Sequence, residues 1–373
     1  MTENKSSREF PSKWTGMKTA LVHDWLTGMR GGERVLEILC DGFPEAPIHT
    51  LVWNPGSVSA TINSHRVRTS FLQRFPRIYK HYRYFLPFFP AAIRRMPSPD
   101  ADLMISTSHC VAKAHPHHSA TKHLCYCFTP MRYAWQPRNQ YFSASPIKAF
   151  LAAPLLWRLR RWDRRVSDGV DRFVAISNAV RARIRNAYNR DAAVVYPPVD
   201  LGFWTPGTGS GDGYDLMVSA LVPYKRIELA ISAYALSGRK LVIVGTGSEE
   251  QKLKAASTGN INFLGWQSDS SILQLYRNAN MLVFPGEEDF GLVPIEAQAC
   301  GTPVVAFRKG GALETVNEGE TGVFFDDQTK ESLNEAVQKA LSIHWDRKVL
   351  RKKAEEFSVA NFISGIAGVI DRL

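Results

Sequence analysis

Phe284-Pro285-Gly286-Glu287-Glu288-Asp289-Phe290-Gly291-Leu292-Val293-Pro294-Ile295-Glu296-Ala297-Gln298-Ala299-Cys300-Gly301-Thr302-Pro303 is the stretch from which the fold is read. An apolar strand ends at Phe284, a turn carries acids and Gly291, and helical spacing runs from Leu292 until Gly301 and Pro303 stop it. The free N–H groups of such a helix start, with the positive end of its dipole, form a site suited to a diphosphate. Glu288 in the turn and Glu296 on the helix add carboxylates. Each can accept hydrogen bonds from neighbouring hydroxyls, so a ribose or hexose diol is the natural partner. For isolated acids beside a helix start, capping and solvation would be the preferred explanation; the surrounding strand, turn and glycine pattern reverses that preference.

Outward from this stretch the same alternation repeats. Leu216 to Ala220, Lys240 to Val244, Ile261 to Leu264, Met281 to Phe284 and Pro303 to Phe307 are short apolar strands, with helix-like Ile227 to Ala235 and Glu249 to Ala256 between them. Strands separated by helical lengths predict a parallel sheet covered on both faces. Upstream, Lys18 to His23, Gly28 to Gly32 and Glu33 to Cys40 read as strand, glycine loop and helix, the opening of a Rossmann-like unit. Asp102 to Ser106, His123 to Cys127 and Arg172 to Ile176 are further strand candidates. Tyr196 to Gly213 is rich in Pro, Gly, Ser and Thr and reads as a linker. These features predict an α/β protein with a first domain at 1–205 and a second at 206–349, facing each other across a cleft. A closing helix within 348–373 is expected to pack its 350–373 portion back on the first domain.

A chain of 373 residues suits two domains, and 45% hydrophobic with 22% charged residues excludes a disordered or fibrous protein. Five cysteines, Cys40, Cys110, Cys125, Cys127 and Cys300, form neither a paired framework nor a CxxC spacing, which points to a reducing cytoplasm. Met1 to Lys13 is polar and reads as a frayed leader rather than a signal peptide. No apolar run approaches the roughly 20 residues that span a bilayer, and Tyr84 to Ile93 is broken by Pro87 and Pro90. The net charge of +11 is unevenly spread. From Arg66 to Arg95 there are eight basic and no acidic residues, interleaved with aromatics such as Phe75, Tyr79, Tyr84 and Phe88. Trp157 to Arg165 adds five arginines and two tryptophans against one acid, Asp163. Such composition suits an anionic leaflet or single-stranded nucleic acid, and a solvated basic face over core aromatics is the plain alternative for either cluster alone. Two clusters in one half favour a peripheral position on a membrane surface, with no nucleic acid expected.

The stretch Pro285 to Pro303 resembles the signature of glycosyltransferase family 4, E-x-F-G-L-x-x-x-E-A-x-A-x-G-x-P. Val218 to Arg226, Val244-Gly245-Thr246-Gly247, Phe263-Leu264-Gly265-Trp266 and Gly310 to Val316 match in the expected order. His23 to Thr27 with Gly31-Gly32, and Cys125 to Trp135, are similar to its bacterial mannosyltransferase-like branch. The resemblance implies a GT-B fold and a retaining, metal-independent hexosyltransferase needing no cofactor beyond its nucleotide-sugar substrate. It places Glu288 and Lys225 at the reaction, Glu288 on the transferred hexose and Lys225 on the diphosphate with Arg226 as helper. It places Glu296 on the donor ribose, the amides around Phe290, Gly291 and Leu292 on hydroxyls and phosphates, and Gly265-Trp266 near the base, with Gly245, Gly31 and Gly32 completing the donor set. Asp24, His109 and Lys113, beside Gly31 and Gly32, are the acceptor-side candidates. The chain departs from the pattern at Ala220, where many relatives have Arg, and at Phe128, where they commonly have His.

Several motifs are weaker. Asp100-Ala101-Asp102 matches a metal-binding DxD but follows prolines and leads into a strand, so it reads as a strand-entry turn. Asp289-Phe290-Gly291 lacks the other kinase motifs. His115, His117 and His118 have no ligand partners at metal spacing and read as a polar loop. The resulting expectation is a mannosyltransferase using GDP-mannose, acting on a polyprenyl-diphosphate-linked saccharide in exopolysaccharide assembly, at the inner face of the plasma membrane. The alternatives are another GT-B enzyme, an epimerase or phosphorylase, and a non-catalytic basic membrane or nucleic-acid binder.

Overall fold

The computed structural model describes residues 9–14, 16–135, 146–207 and 213–373, with the side chains of 146–152 excepted. Residues 1–8 of the polar leader and 208–212 of the linker lie outside the described residues. Contacts divide the chain into two units, one built from the segment ending at Pro197 together with Phe362–Leu373, the other from Pro198–Asn361.

The first unit holds a parallel sheet of seven strands: β1 (Thr19–His23), β2 (Ile48–Thr50), β3 (Val67–Thr69), β4 (Leu103–Ser108), β5 (Lys122–Cys127), β6 (Arg172–Ala175) and β7 (Ala192–Val194). Its order is β3-β2-β1-β4-β5-β6-β7. Every residue of β1 and β4 is buried, including the polar Thr19, His23, Ser106, Thr107 and Ser108. β2, β3 and β7, of three residues each, were not among the strands expected from the sequence. The longer helices are α1 (Gly31–Gly42), α2 (Pro146–Val166) and α3 (Asn178–Tyr188). Ser177 caps α3 by accepting from the Val180 amide, and Asn189 ends it in the left-handed region at φ 56°.

The second unit holds six parallel strands: β8 (Asp215–Val218), β9 (Leu241–Val244), β10 (Ile261–Gly265), β11 (Leu282–Phe284), β12 (Val304–Phe307) and β13 (Gly322–Phe325). The order is β10-β9-β8-β11-β12-β13, with helices α4 (Ile227–Ser237), α5 (Asp269–Asn278), α6 (Leu292–Ala299), α7 (Lys330–Ser342) and α8 (Arg347–Glu355), while α9 (Val359–Ile370) belongs mostly to the first unit. Strand order reverses between β1 and β4 in one sheet and between β8 and β11 in the other, and such switch points are where open α/β sheets bind ligands. Each unit is Rossmann-like.

Two features differ from expectation. The chain divides after Pro197 rather than after Thr205, because Arg351 of α8 donates to the carbonyls of Leu201 (2.7 Å), Trp204 and Ala299 and so ties the 201–204 segment to the second unit. The closing segment is two helices, not one, and α8 stays with that unit. The break follows from Phe357, which packs edge-on to Phe290 at 5.5 Å while its carbonyl accepts from Val199 at 2.8 Å. Only Phe362–Leu373 counts with the first unit, where Phe362 packs edge-on to Tyr126.

His115 is not in a solvated loop: it is buried, and its Nε2 lies 2.7 Å from His49 Nδ1 on β2. His123 on β5 is likewise buried, with Nε2 2.7 Å from Ser106 Oγ. The five cysteines are free and buried. Among the described residues, no helix is long and apolar enough to cross a membrane.

Burial lowers His49 and His123 to about 3 and His115 to about 4, far below the ordinary histidine value. These rings stay neutral in the fold but take up protons in the unfolded chain below its pKa of about 6.5. Their contribution is therefore intact above about pH 6.5 and is lost as pH falls toward about 4, each ring adding up to roughly 1.4 kcal/mol per pH unit to the slope. Urea midpoints measured from neutral to mildly acidic buffer should fall steeply through that window; a midpoint that holds steady or rises on acidification contradicts this.

Candidate active site

The carboxyl ends of β8 to β12 carry the residues expected to meet a nucleotide-sugar in the second unit. Beyond β8 the chain makes a short turn, Pro223–Lys225, that leads into α4. Beyond β11, the neighbouring strand, it makes the acidic turn that leads into α6. These loops pack backbone to backbone: a Cβ on Gly286 would stand 3.1 Å from the Cα of Lys225. Lys225 Nζ makes a close ion pair with Glu288 Oε1, and the side chains are only 15% and 23% exposed.

A third loop fixes the acid. Beyond β12, Gly310 pairs with Glu288 in an isolated parallel bridge and the Gly311 amide donates to the Glu288 carbonyl at 2.9 Å. Gly310 sits at φ 64°, and a Cβ there would be 2.4 Å from the Glu288 carbonyl oxygen; on Gly311 it would be 2.1 Å from that of Phe290. Glycine is required at both positions for the turn to lie where it does. Sequence reading quoted this pair as a motif and gave it no role.

Helix α6 starts from Gly291 at φ 91°, an N-cap residue that has no side chain of its own to offer the first amides. Phe290 is buried, so its contribution at this start is its main chain. Glu296 lies one turn inside α6, and its Oε2 accepts from the Tyr276 hydroxyl at 3.2 Å. Tyr276 was not foreseen. It is buried at the core end of α5, and burial, then the neighbouring Glu296 charge, pushes its phenol well above the usual value. Gly245 and Gly265 are joined by an N–H to carbonyl bond of 2.8 Å, and Trp266 beyond them is 75% exposed. Arg226 occupies the left-handed region at φ 57° and pairs with Glu228 at 3.0 Å, so its guanidinium serves the start of α4.

In the first unit, two acceptor-side expectations are corrected. Asp24, just beyond β1, is fully buried and its carboxylate accepts four main-chain amides, those of His109, Cys110, Val111 and Ala112, at 2.6–2.9 Å. It stitches the loop beyond β4 to that beyond β1 and has no capacity left for a sugar. Lys113 is also buried; its Nζ pairs with Asp163 Oδ1 at 2.6 Å and donates to the Cys110 carbonyl. Trp135 and Tyr188 donate to the other oxygen of Asp163, completing a buried internal network.

Gly31 and Gly32 begin α1, and the face of Gly32 lies against the Phe128 ring, which a Cβ would approach to 3.3 Å, and against His23 at 3.5 Å. Phe128 thus gives this helix start an apolar neighbour. His109 stands 3.2 Å from Asp24 Oδ2 with its ring edge-on to Trp25, and burial first of all lowers it to about 4. Glu33 caps the Arg30 amide at 3.1 Å and lies 3.9 Å from His23 Nε2. Burial acts to raise its carboxyl, yet His23 and the main chain hold it below the ordinary value.

Residues 205–357 match the family of group 1 glycosyl transferases and residues 29–203 match glycosyltransferase family 4. The chain belongs to glycosyltransferase family 4. Its fold is GT-B: it superimposes on Anabaena HepE in complex with UDP with a TM-score of 0.68 at 18% identity, covering 96% of this chain and 100% of that one. The lipopolysaccharide outer core galactosyltransferase WaaB matches with a TM-score of 0.65 at 16% identity over 96% and 100%. Among curated relatives, this family member is 33% identical to the D-inositol 3-phosphate glycosyltransferase of Mycobacteroides abscessus over 196 residues, 47% of this chain and 42% of that protein. It is 27% identical to a glycosyltransferase of Methanocaldococcus jannaschii over 194 residues, 50% and 54% of the respective chains. The chain thus spans about half the length or less of the curated relatives it matches.

Because Asp24 holds four amides in a buried setting, Asp24→Ala should lower the unfolding free energy by at least about 3 kcal/mol. Urea denaturation reads this directly, and a wild-type midpoint would show that the carboxylate is not structural.

Proposed function

We propose that this family member is a retaining hexosyltransferase that moves a sugar from a nucleotide-sugar to a lipid-linked saccharide in polysaccharide assembly. The observation that carries this reading is the Lys225–Glu288 pair at the β8/β11 switch point, beside the glycine-led start of α6. A departing nucleoside diphosphate gathers negative charge. A cation held in place and a row of amides stabilise that charge without reorganising, which is the largest single source of rate in such reactions. Lys225 and the amides from Phe290 to Leu292 are assigned to the diphosphate, with Arg226 secondary because Glu228 engages it. Glu288 takes hydroxyls of the transferred hexose, and Glu296, oriented by Tyr276, takes the ribose. Gly245, Gly265 and Trp266 border the base.

On the acceptor side Gly31, Gly32 and His109 remain, the last neutral at physiological pH. With no second base assigned to a double displacement, attack from the leaving-group face accounts for retention. GDP-mannose is the preferred donor on the motif resemblance, and UDP is its chief rival because HepE is known in complex with UDP-glucose. The basic aromatic clusters favour a peripheral position on the inner face of the plasma membrane.

Calorimetry against GDP, UDP and ADP, followed by mass spectrometry of the product from the best donor, tests the assignment. Lys225→Ala and Glu288→Gln should each lower kcat by roughly a hundredfold or more while the fold is kept. Wild-type turnover in both variants contradicts it. Conversion of donor alone, with no glycosylated acceptor, would instead favour the epimerase or phosphorylase class.

A further inference from the structure

The two basic aromatic clusters, 60 or more positions apart in the chain, share one core. Phe71, Phe85 and Leu86 from the first, and Leu159 and Trp162 from the second, pack into the same hydrophobic cluster. What remains outside is unusual for a solvated face. Phe75, Tyr79, Tyr84 and Phe88 are exposed, Tyr84 to 82%, alongside exposed Arg74, Arg77, Lys80 and Arg83. On α2, Trp157 is 59% exposed.

Trp157, Arg160, Arg161 and Arg164 recur at helical spacing along one stripe of α2, and with Trp135 they line an open groove of about 430 Å³. Main-chain carbonyls anchor the arginines at the groove's edges: Arg160 Nε donates to Ala134 and Arg164 Nε to Ala187. The guanidinium groups of Arg160 and Arg164 lie over the Trp135 ring at 5.9 and 5.8 Å, and that of Arg161 over Trp157 at 5.6 Å. Among the described residues no carboxylate pairs with any of the three. The one acid of the helix segment, Asp163, is fully buried and engaged by Lys113, Trp135 and Tyr188.

Guanidinium groups fixed at their stems and stacked on indoles present forked donors matched to phosphate oxygens. Indole and phenol rings with one apolar and one polar edge settle at the headgroup level of a bilayer. We propose that this groove binds the phosphate headgroup of an anionic lipid, with Tyr84, Phe88 and Trp157 inserted beside it, so that the surface docks the first unit on an anionic leaflet. A basic face meant only for solvation has no reason to hold rings as large as those of Tyr84, Phe88 and Trp157 out in water. The choice of a lipid surface as partner rests on the membrane-side reading above, but binding to lipid is measurable without any transfer reaction.

The test is co-sedimentation of the full chain with vesicles of phosphatidylcholine alone or with phosphatidylglycerol added, at low ionic strength. Wild type should bind the anionic vesicles and not the neutral ones. Arg161→Glu/Arg164→Glu should weaken that binding by at least about tenfold, and Tyr84→Ser/Phe88→Ser should weaken it comparably, while thermal melting and nucleotide affinity stay at wild-type values. Soluble glycerol phosphate should compete only in large excess, which separates a lipid surface from a free phosphate. Equal binding of both folded double variants overturns the proposal, as does equal binding of wild type to neutral vesicles. If vesicle binding behaves as expected but no nucleotide binds, the transferase reading fails and the lipid site stands.

Discussion

Lys225 and Glu288 meet because their loops leave neighbouring parallel strands at the one place in the second sheet where strand order reverses. The contact has no slack. Gly286 allows the lysine loop to lie against the acidic turn, and Gly310 and Gly311 let a third loop hold the Glu288 main chain from the other side. A Cβ at any of these glycines would displace a backbone rather than a side chain. The pairing of a mostly buried ammonium with a mostly buried carboxylate is therefore imposed by topology, and the start of α6 follows four residues later in the same rigid turn. The family's chemistry, stabilising charge on a leaving diphosphate, needs just such fixed groups.

The first sheet uses its own switch point differently. There the acid, Asp24, faces inward and spends both oxygens on main-chain amides, and His109 is held beside it as a neutral ring. One sheet thus aims polar side chains out of the strand ends, while the other uses an aspartate to brace the loop and leaves a glycine helix start lined by Phe128. The same division marks the charges: Lys113 is consumed in a buried network, whereas among the described residues no carboxylate pairs with Arg160, Arg161 or Arg164 of α2.

The legible part of the molecule was the part with strong local pattern. Strands such as β8 and β9 are apolar runs, and the Phe284 to Pro303 stretch encodes strand, turn and helix in twenty consecutive letters, so both their type and the site they form could be read. Short strands with mixed letters, such as Ile48-His49-Thr50 and Val67-Arg68-Thr69, could not, whereas the equally short β11 was marked by its apolar run. Nor could the fate of polar residues whose partners are distant in sequence: Asp24 with 109–112, Lys113 with Asp163, and His115 with His49 are decided by register between strands. Tyr276 reached Glu296 for the same reason. Phe357 broke the closing helix through a packing demand that helical propensity alone does not register.

A crystal structure of the protein with a nucleoside diphosphate tests the central claim most directly. The account predicts phosphate oxygens within hydrogen-bonding reach of Lys225 Nζ and of the amides between Phe290 and Leu292, with the ribose hydroxyls on Glu296. A diphosphate seated elsewhere, or a ribose that leaves Glu296 untouched, would contradict it.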